Sequence, residues 1–207
     1  MFRDRYDAGM RLSEALSHYK GRKDAIVLAI PRGALQIGEV LHKELGLPLD
    51  IIVTKKIPHP ISEEYAIGAV GPGGECFLTE AAEGIETAHI ERERKRLAGV
   101  VEEKYVRYRG KRAKPELAGK VVIIIDDGIA TGSTMLAAIH VVRKQKPARI
   151  VVAVPVGPAD TIKALEKEAD EFVCLDTPSE FFAIGQFYQD FTQIEDEEAI
   201  AILKRCR

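Results

Sequence analysis

Two adjacent acids near the middle of the chain stand where an apolar run ends and a small-residue loop begins. Asp126 and Asp127 follow the run VVIII at residues 121–125 and precede a loop of glycine, alanine and hydroxyl residues. Neighbouring carboxylates at the end of an apolar strand cost free energy unless a ligand or partner compensates them. Carboxylates accept hydrogen bonds from a vicinal diol, and a helix N-terminus after a glycine loop binds phosphate. The pattern therefore predicts a site for a sugar that carries a phosphate.

The loop after the acids is the predicted phosphate-binding segment. Gly128 and Gly132 let the backbone approach a ligand closely, and the hydroxyl groups add donors. No lysine follows the second glycine, which excludes a nucleoside-triphosphate P-loop, and the spacing is not that of a dinucleotide-binding loop. A plain capping role for the two acids is disfavoured, because the acids, the apolar run and the loop occur together. The predicted set is Gly128, Ile129, Ala130, Thr131, Gly132, Ser133 and Thr134.

Strands and helices alternate on both sides of this site. Continuous apolar runs that alternate with amphipathic segments are typical of a parallel sheet covered by helices on both faces. In such sheets ligands bind at the carboxyl ends of the strands, which is where Asp126 and Asp127 are expected. The predicted helices are 3–19, 34–46, 132–145 and 159–168, and the predicted strands are 25–30, 49–56, 121–125, 149–156 and 171–175.

Two segments interrupt this alternation within what is predicted to be a single domain, 1–207. Residues 57–118 separate two core strands by more than a normal connection. A hairpin around GPGG and a long charged helix near 85–110 are predicted there. The helix charges form either a solvated face, or a lid or subunit contact, and His59, Glu63 and Glu64 lie near the start of the insertion. The second segment, 172–207, is aromatic and then acidic, and is predicted to form a hood over the site.

Composition narrows the class of protein. A formal net charge of −2 gives no overall basic field of the kind that nucleic-acid binders show. No apolar run approaches the ~20 residues of a membrane span, and the N-terminus lacks the apolar core of a signal peptide. Cys76, Cys174 and Cys206 are scattered, which fits reduced thiols. We therefore expect a cytoplasmic protein with neither a nucleic-acid nor a membrane partner.

The stretch VVIIIDDGIATGST resembles the phosphoribosyl pyrophosphate signature of type I phosphoribosyltransferases. IPRGA is similar to the pyrophosphate loop of that family at Arg32, Gly33 and Ala34, where a non-proline cis peptide is common. Lys55 and Lys56 lie where related enzymes place pyrophosphate contacts. Over nearly its whole length the chain resembles a branch of bacterial and archaeal predicted phosphoribosyltransferases of undefined substrate. The resemblance implies the type I fold, a Rossmann-like parallel sheet with helices on both faces, a hairpin and helix insertion and a C-terminal hood.

The resemblance also implies an activity, the Mg²⁺-dependent transfer of a 5-phosphoribosyl group to a nitrogenous base with release of pyrophosphate. Asp126 and Asp127 would hold the ribose 2- and 3-hydroxyls, while Arg32, Lys55 and Lys56 would neutralise the pyrophosphate. Mg²⁺ would be held by substrate and water, with Asp126 or Asp127 as an additional ligand. A homodimer is expected. Two alternatives stay open, a non-catalytic regulator that binds phosphoribosyl nucleotides, and a nucleotide hydrolase or phosphorylase that uses the same pocket.

The acceptor is constrained by two departures from the family pattern. Ala130 stands where 6-oxopurine enzymes place an acid, and Gly157 or Pro158 stands where they place a lysine. Both departures argue against hypoxanthine or guanine as the acceptor. The C-terminal FFAIGQFYQDF resembles the segment over which a base stacks, which makes Phe181 or Phe182 the stacking ring and Asp190 a hydrogen-bond partner. The alternative is that these aromatic residues are ordinary core or dimer contacts.

Overall fold

The computed structural model describes residues 1–110 and 112–206, and for Glu63 and Glu64 it describes the backbone alone. Three single turns of 3-10 helix, at Ser17–Tyr19, Glu80–Ala82 and Ile184–Phe187, supplement the longer elements. The strands are β1 Ala25–Ala29, β2 Leu49–Ile51, β3 Lys55–His59, β4 Ser62–Val70, β5 Cys76–Leu78, β6 Val121–Ile125, β7 Arg149–Val156 and β8 Glu171–Asp176. The helices are α1 Arg5–Ala15, α2 Ala34–Leu45, α3 Thr87–Arg109, α4 Ser133–Lys144, α5 Ala159–Leu165 and α6 Asp196–Arg205.

The main sheet has five parallel strands in the order β2-β1-β6-β7-β8. Successive side chains of a strand point to opposite faces, so the all-apolar β6 serves two cores. Ile123 and Ile125 pack with α1, α2 and α6, whereas Val122 and Ile124 pack with α4 and α5. The predicted parallel α/β sheet with helices on both faces is confirmed.

The insertion folds into a second sheet and a long helix. Its three antiparallel strands lie in the order β3-β4-β5, and register shifts on either side of Pro58 mark a bulge in β4, which carries the extra residues. Ile57 and Ile67 of this sheet pack against Leu97 of α3. The hairpin around GPGG and the charged helix are both confirmed, since β4 and β5 flank Gly71–Gly74 and α3 spans Thr87–Arg109.

The predicted strand 49–56 is wrong as a single element. β2 ends at Ile51, the chain then leaves the main sheet, and β3 begins at Lys55 in the second sheet. Ile52 and Val53 are buried between the two strands, so the apolar pattern continues through the change of direction. Periodicity alone cannot locate such a break, because both sides of it read as extended apolar chain.

The C-terminal segment meets the start of the chain. Residues 172–176 of the predicted hood segment belong to β8 of the main sheet, and the described residues that follow, 177–206, are called the hood below. The Phe2 N–H donates to the Phe187 carbonyl at 2.7 Å, and the Gln189 N–H donates to the Phe2 carbonyl at 2.9 Å. None of the helices in the described ranges is both long and apolar enough to cross a bilayer.

Candidate active site

The candidate site is built where two neighbouring strands of the main sheet end. β1 pairs with β6 in parallel as far as Ala29 opposite Ile125, and the Ile30 N–H donates to the Ile125 carbonyl at 3.0 Å. The chain after β1 carries Arg32 and the chain after β6 carries Asp126. Parallel pairing therefore brings the two predicted loops to the same edge of the sheet.

The predicted phosphate loop encloses a small cavity of about 160 Å³. Asp126 lies at one side of this cavity, Ile184 of the hood at another, and most of the loop forms the remaining wall. Gly132 adopts a left-handed φ of 75°, and α4 begins directly after it without a side-chain cap. The first N–H groups of α4 are therefore available to an anion. Ser133 lies outside this lining and borders a larger cavity instead.

The two adjacent acids have different surroundings. Asp126 lines the phosphate-loop cavity, and its Oδ1 accepts the Asp127 N–H at 2.9 Å. Burial, and next the charge of Asp127, raise the pKa of Asp126 well above its usual range. Asp127 turns the other way and accepts a hydrogen bond from Arg5 Nε at 2.7 Å, with the two side chains only 14% and 7% exposed.

Arg5 joins Asp127 to the hood, and sequence reasoning did not find it. Its Nη1 donates to the Thr192 carbonyl at 2.8 Å, and its guanidinium lies 3.9 Å from the centre of the Phe191 ring. Tyr188 of the hood donates its hydroxyl to the Asp127 carbonyl at 2.7 Å. Arg5 is 122 positions from Asp127 in the sequence, so no local signal could have revealed the pair.

The predicted pyrophosphate loop packs directly on Asp127. The Pro31–Arg32 peptide is cis, as the family resemblance led us to expect, and Ala34 begins α2. A Cβ atom at Gly33 would overlap with Asp127 Oδ2 and approach Arg5 Nε to 2.9 Å. Glycine is therefore required at position 33 for the loop and the second acid to lie together.

Arg32 projects into a cleft of about 610 Å³ between its own loop and α3. Its Nη1 lies 3.4 Å from Asp196 Oδ1 and 3.6 Å from Glu195 Oε2, both at the start of α6. Lys104 of α3 borders the same cleft and was not predicted. Arg32 thus has two acids from the start of α6 and a lysine from α3 as neighbours in the cleft.

Lys55 and Lys56 are separated by the alternation of β3. Lys56 borders a cavity of about 670 Å³, together with Thr131 and Ser133 on one side and the second sheet on the other. Lys55 is near enough to Lys104 for its charge to lower the pKa of that lysine, after the larger effect of burial. The structure therefore places Lys55 on the Arg32 side and Lys56 on the outer side of the phosphate loop.

This geometry agrees with the comparison with known families. A family model described as a phosphoribosyl transferase domain matches residues 3–192. The chain belongs to the phosphoribosyl transferase family. The match includes both loops, Arg5 and the hood as far as Thr192.

Relatives of this phosphoribosyl transferase domain differ in length. Two Mycobacterium tuberculosis proteins, provisionally named phosphoribosyl transferases, are 39% identical over 212 aligned positions, which is 100% of this chain and 47% of theirs. The chain thus spans about half the length of the curated relatives it matches. The crystal structure of a Thermus thermophilus protein has a TM-score of 0.90 at 40% identity, covering 99% of this chain and 98% of that one. A purine phosphoribosyltransferase of Pyrococcus horikoshii shares the fold, with a TM-score of 0.50, 21% identity and 91% coverage of each chain.

The residues predicted to hold the base in this phosphoribosyl transferase domain lie in different settings. Phe181 packs against Phe187 with ring centres 5.2 Å apart, whereas Phe182 is 87% exposed. Asp190 accepts hydrogen bonds from the Thr192 N–H at 2.9 Å and the Thr192 hydroxyl at 2.5 Å. Of the two predicted stacking rings, Phe182 is therefore the exposed one.

Two further predictions concern a metal and a lid. Within the described ranges, no group of three or more His, Cys, Asp or Glu side chains is placed to hold a metal ion. Of the acids near the start of the insertion, the side chains of Glu63 and Glu64 lie outside the described part of the structure. His59 is the last residue of β3 rather than a loop residue, and its Nδ1 accepts the Ile61 N–H at 3.2 Å.

Proposed function

We propose that this phosphoribosyl transferase domain moves the 5-phosphoribosyl group of phosphoribosyl pyrophosphate to a nitrogenous base and releases pyrophosphate. One observation carries the proposal. The phosphate-loop cavity with Asp126 and the cationic loop with Arg32 follow neighbouring parallel strands, so a single ligand can occupy both. A sugar with a phosphate at one end and a diphosphate at the other has the charges that this arrangement needs.

Each part of that ligand has a counterpart in the site. Residues 128–134 would hold the 5-phosphate through the free N–H groups of α4. Asp126 would accept hydrogen bonds from the ribose hydroxyls, and Asp127 would add its second oxygen while Arg5 holds the first. Arg32 and Lys55 would stabilise the negative charge that builds on the departing pyrophosphate. Lys56 is better placed to meet the outer side of the phosphate loop.

The acids fit a Mg²⁺ ion that is held mainly by the ligand. Mg²⁺ prefers oxygen ligands and keeps several waters, and a pair of adjacent aspartates can add one or two contacts to it. Asp126 is the better candidate, because Asp127 already has a salt bridge to Arg5. When bound, Mg²⁺ would neutralise charge on the diphosphate oxygens. The carboxylate of Asp126 would orient the ribose whether or not the ion is present.

Phe182 is the best candidate for stacking on the acceptor base. Its ring is exposed, whereas Phe181 is packed on Phe187. Aromatic stacking is tolerant of base identity, so it does not select among bases by itself. The alanine at position 130 supports an acceptor other than a 6-oxopurine. A homodimer and a cytoplasmic location stay predictions.

Phosphorus NMR on the protein with phosphoribosyl pyrophosphate, Mg²⁺ and a panel of bases and amines tests the proposal. Release of pyrophosphate that depends on one base would establish the transfer and name the acceptor. Binding without turnover across the panel would overturn it in favour of a regulator. Release of pyrophosphate with water alone would favour a hydrolase.

A variant with both Asp126→Asn and Asp127→Asn is the control for the binding assignment. It should lose affinity for ribose 5-phosphate, because both diol acceptors lose their charge. Unchanged affinity would show that the acids do not hold the ribose.

A further inference from the structure

One face of α3 lines the cleft that contains Arg32. Five α3 residues border this cleft at the three- and four-residue spacing of a single helix face. They are Val100, Glu103, Lys104, Arg107 and Tyr108. The adjoining face, with Leu97, Val101 and Tyr105, is buried in the cores of the insertion and the main sheet. The orientation of α3 is thus fixed by its apolar side, and its basic side is presented to Arg32.

The bases in the cleft differ in their partners. Asp196 lies 2.8 Å from Arg107 Nη2 and 3.4 Å from Arg32 Nη1, so it compensates both arginines. Among the described residues, Lys104 has neither an ion pair nor a hydrogen bond, and its closest aromatic partner is the Tyr108 ring at 5.8 Å. Glu103 borders the cleft but is exposed and is not within ion-pair distance of Lys104.

Lys104 is partly buried, which makes its lack of an anionic partner costly. Burial, followed by the charge of Lys55, lowers the pKa of Lys104, and the charges of Asp196 and Arg32 act on it in opposite directions. Three cations from three elements therefore converge on a cleft in which Asp196 is already paired with Arg32 and Arg107. Such an arrangement becomes favourable when an anion enters it.

We propose that Lys104 of α3 binds the diphosphate group of the ligand together with Arg32 and Lys55. This inference rests on the proposed function and extends it to a helix that the insertion adds to the sheet. It makes α3 a wall of the active site, with Lys104 as its diphosphate-binding residue.

The attachment of α3 supports a fixed wall. Arg109, at the end of the helix, forms a bidentate salt bridge with Asp50 of β2, at 2.5 and 2.6 Å, and both side chains are buried. Tyr108 donates its hydroxyl to Asp196 Oδ1 at 2.5 Å. Lys104 lies about one helical turn before these two anchors, so its position is set by the main sheet and by α6.

Isothermal titration calorimetry with three probes tests the assignment. Pyrophosphate, phosphoribosyl pyrophosphate and ribose 5-phosphate, each with Mg²⁺, are titrated into wild type, Lys104→Met, Lys104→Arg and Lys95→Met. Lys95 is an exposed lysine on the same helix away from the cleft, so its variant controls for net charge. Lys104→Met should weaken both diphosphate probes by about 10- to 100-fold and leave ribose 5-phosphate unchanged. Lys104→Arg should retain most of the affinity.

Two results would overturn the role of Lys104. One is wild-type affinity for pyrophosphate in Lys104→Met, and the other is an equal loss in Lys95→Met. Thermal melting checks the fold, and Lys104→Gln replaces the methionine variant should that variant unfold. If the protein transfers phosphoribosyl groups but Lys104→Met binds diphosphate as wild type does, the role of Lys104 is wrong and the proposed function stands. If pyrophosphate binding depends on Lys104 but no phosphoribosyl transfer occurs, the proposed function is wrong and the role of Lys104 stands.

Discussion

Asp126 and Asp127 show how two identical neighbouring residues acquire different tasks. Asp126 faces the phosphate-loop cavity, where burial and the charge of Asp127 raise its pKa. Asp127 is held between Arg5, the Gly33 backbone and the Tyr188 hydroxyl. We therefore infer that Asp126 is the acid whose charge changes with the ligand, and that Asp127 mainly ties the loops of the site together.

Replacing Asp126 by Asn should stabilise the fold while it weakens ligand binding. A carboxyl whose pKa is raised in the folded state disfavours folding once it ionises. The gain from Asp126→Asn should therefore be absent below the ordinary aspartate value of 3.8, grow as pH rises, and be complete above the raised folded-state value. We expect about 1 kcal/mol at neutral pH, measured by chemical denaturation across a pH series. A stability gain that does not vary with pH would contradict this account.

Replacing Arg5 by Met should destabilise the fold through Asp127. Removing one partner of a buried ion pair leaves the other charge uncompensated, which costs about 3 kcal/mol. Adding Asp127→Asn removes that charge, so the double variant should be more stable than the sum of the single variants predicts. A double-mutant cycle by urea denaturation should give a coupling energy of about 2 kcal/mol. Strict additivity would show that the pair contributes nothing.

The residues of the loops could be predicted from the sequence, whereas their partners could not. Asp126, the glycine loop and Arg32 lie in contiguous motifs whose chemistry is local. Arg5 and Lys104 carry no motif, and each meets the site only after the chain has folded across it. A charged helix face such as that of α3 reads as solvated until its neighbour is known.

At the scale of elements, β3 directs its two adjacent lysines to opposite faces of the second sheet, and each face borders a different cavity. Strand alternation directs Lys55 towards Arg32 and Lys104, and Lys56 towards the cavity outside the phosphate loop. The sequence predicted the alternation of strands and helices correctly, because the main strands are continuously apolar. The sequence pattern predicted β2 and β3 as one strand, because Ile52 and Val53 continue the apolar run of β2 beyond the main sheet.

The two lysines form a matched pair for mutation. Lys55→Met should weaken pyrophosphate binding about tenfold, because one charge-assisted contact is lost. Lys56→Met removes the same charge one residue away and should change that affinity by less than about twofold. Calorimetry with pyrophosphate at two salt concentrations separates a direct contact from a general charge effect. Equal losses of pyrophosphate affinity in the two variants would show that Lys55 and Lys56 do not border different cavities.

At the scale of the whole molecule, the first residues and the hood close on each other beside the site. Phe2 is 2% exposed, exchanges backbone hydrogen bonds with the hood and lies 5.3 Å from the Tyr188 ring. Tyr188 in turn bonds to the carbonyl of Asp127. Sequence patterns predicted each end separately but not their meeting, because contacts between distant segments leave no periodicity.

Replacing Phe2 by Ala should loosen this closure. Loss of the buried ring is expected to cost about 3 kcal/mol. It should also reduce affinity for ribose 5-phosphate, because Tyr188 and Asp127 lose support. Ile61 is 89% exposed, so Ile61→Ala is the control and should change stability by less than about 0.5 kcal/mol. A Phe2→Ala protein as stable as this control would show that the closure is dispensable.

The bulge opposite Pro58 lies beyond the part of β3 that carries both lysines. Lys55 is paired with Val70 and Lys56 with Ala69, and the register shifts on either side of Pro58 before His59 meets Ser62. A one-residue change in strand register exchanges the two faces. Lys55, Lys56 and Ile57 pair in an unbroken register with Val70, Ala69 and Gly68, so the bulge beyond them leaves the faces of the two lysines fixed. Changes of length at the tip of this hairpin should therefore keep both ligand contacts in place, and relatives can be compared by whether their lysines precede the first shift of register.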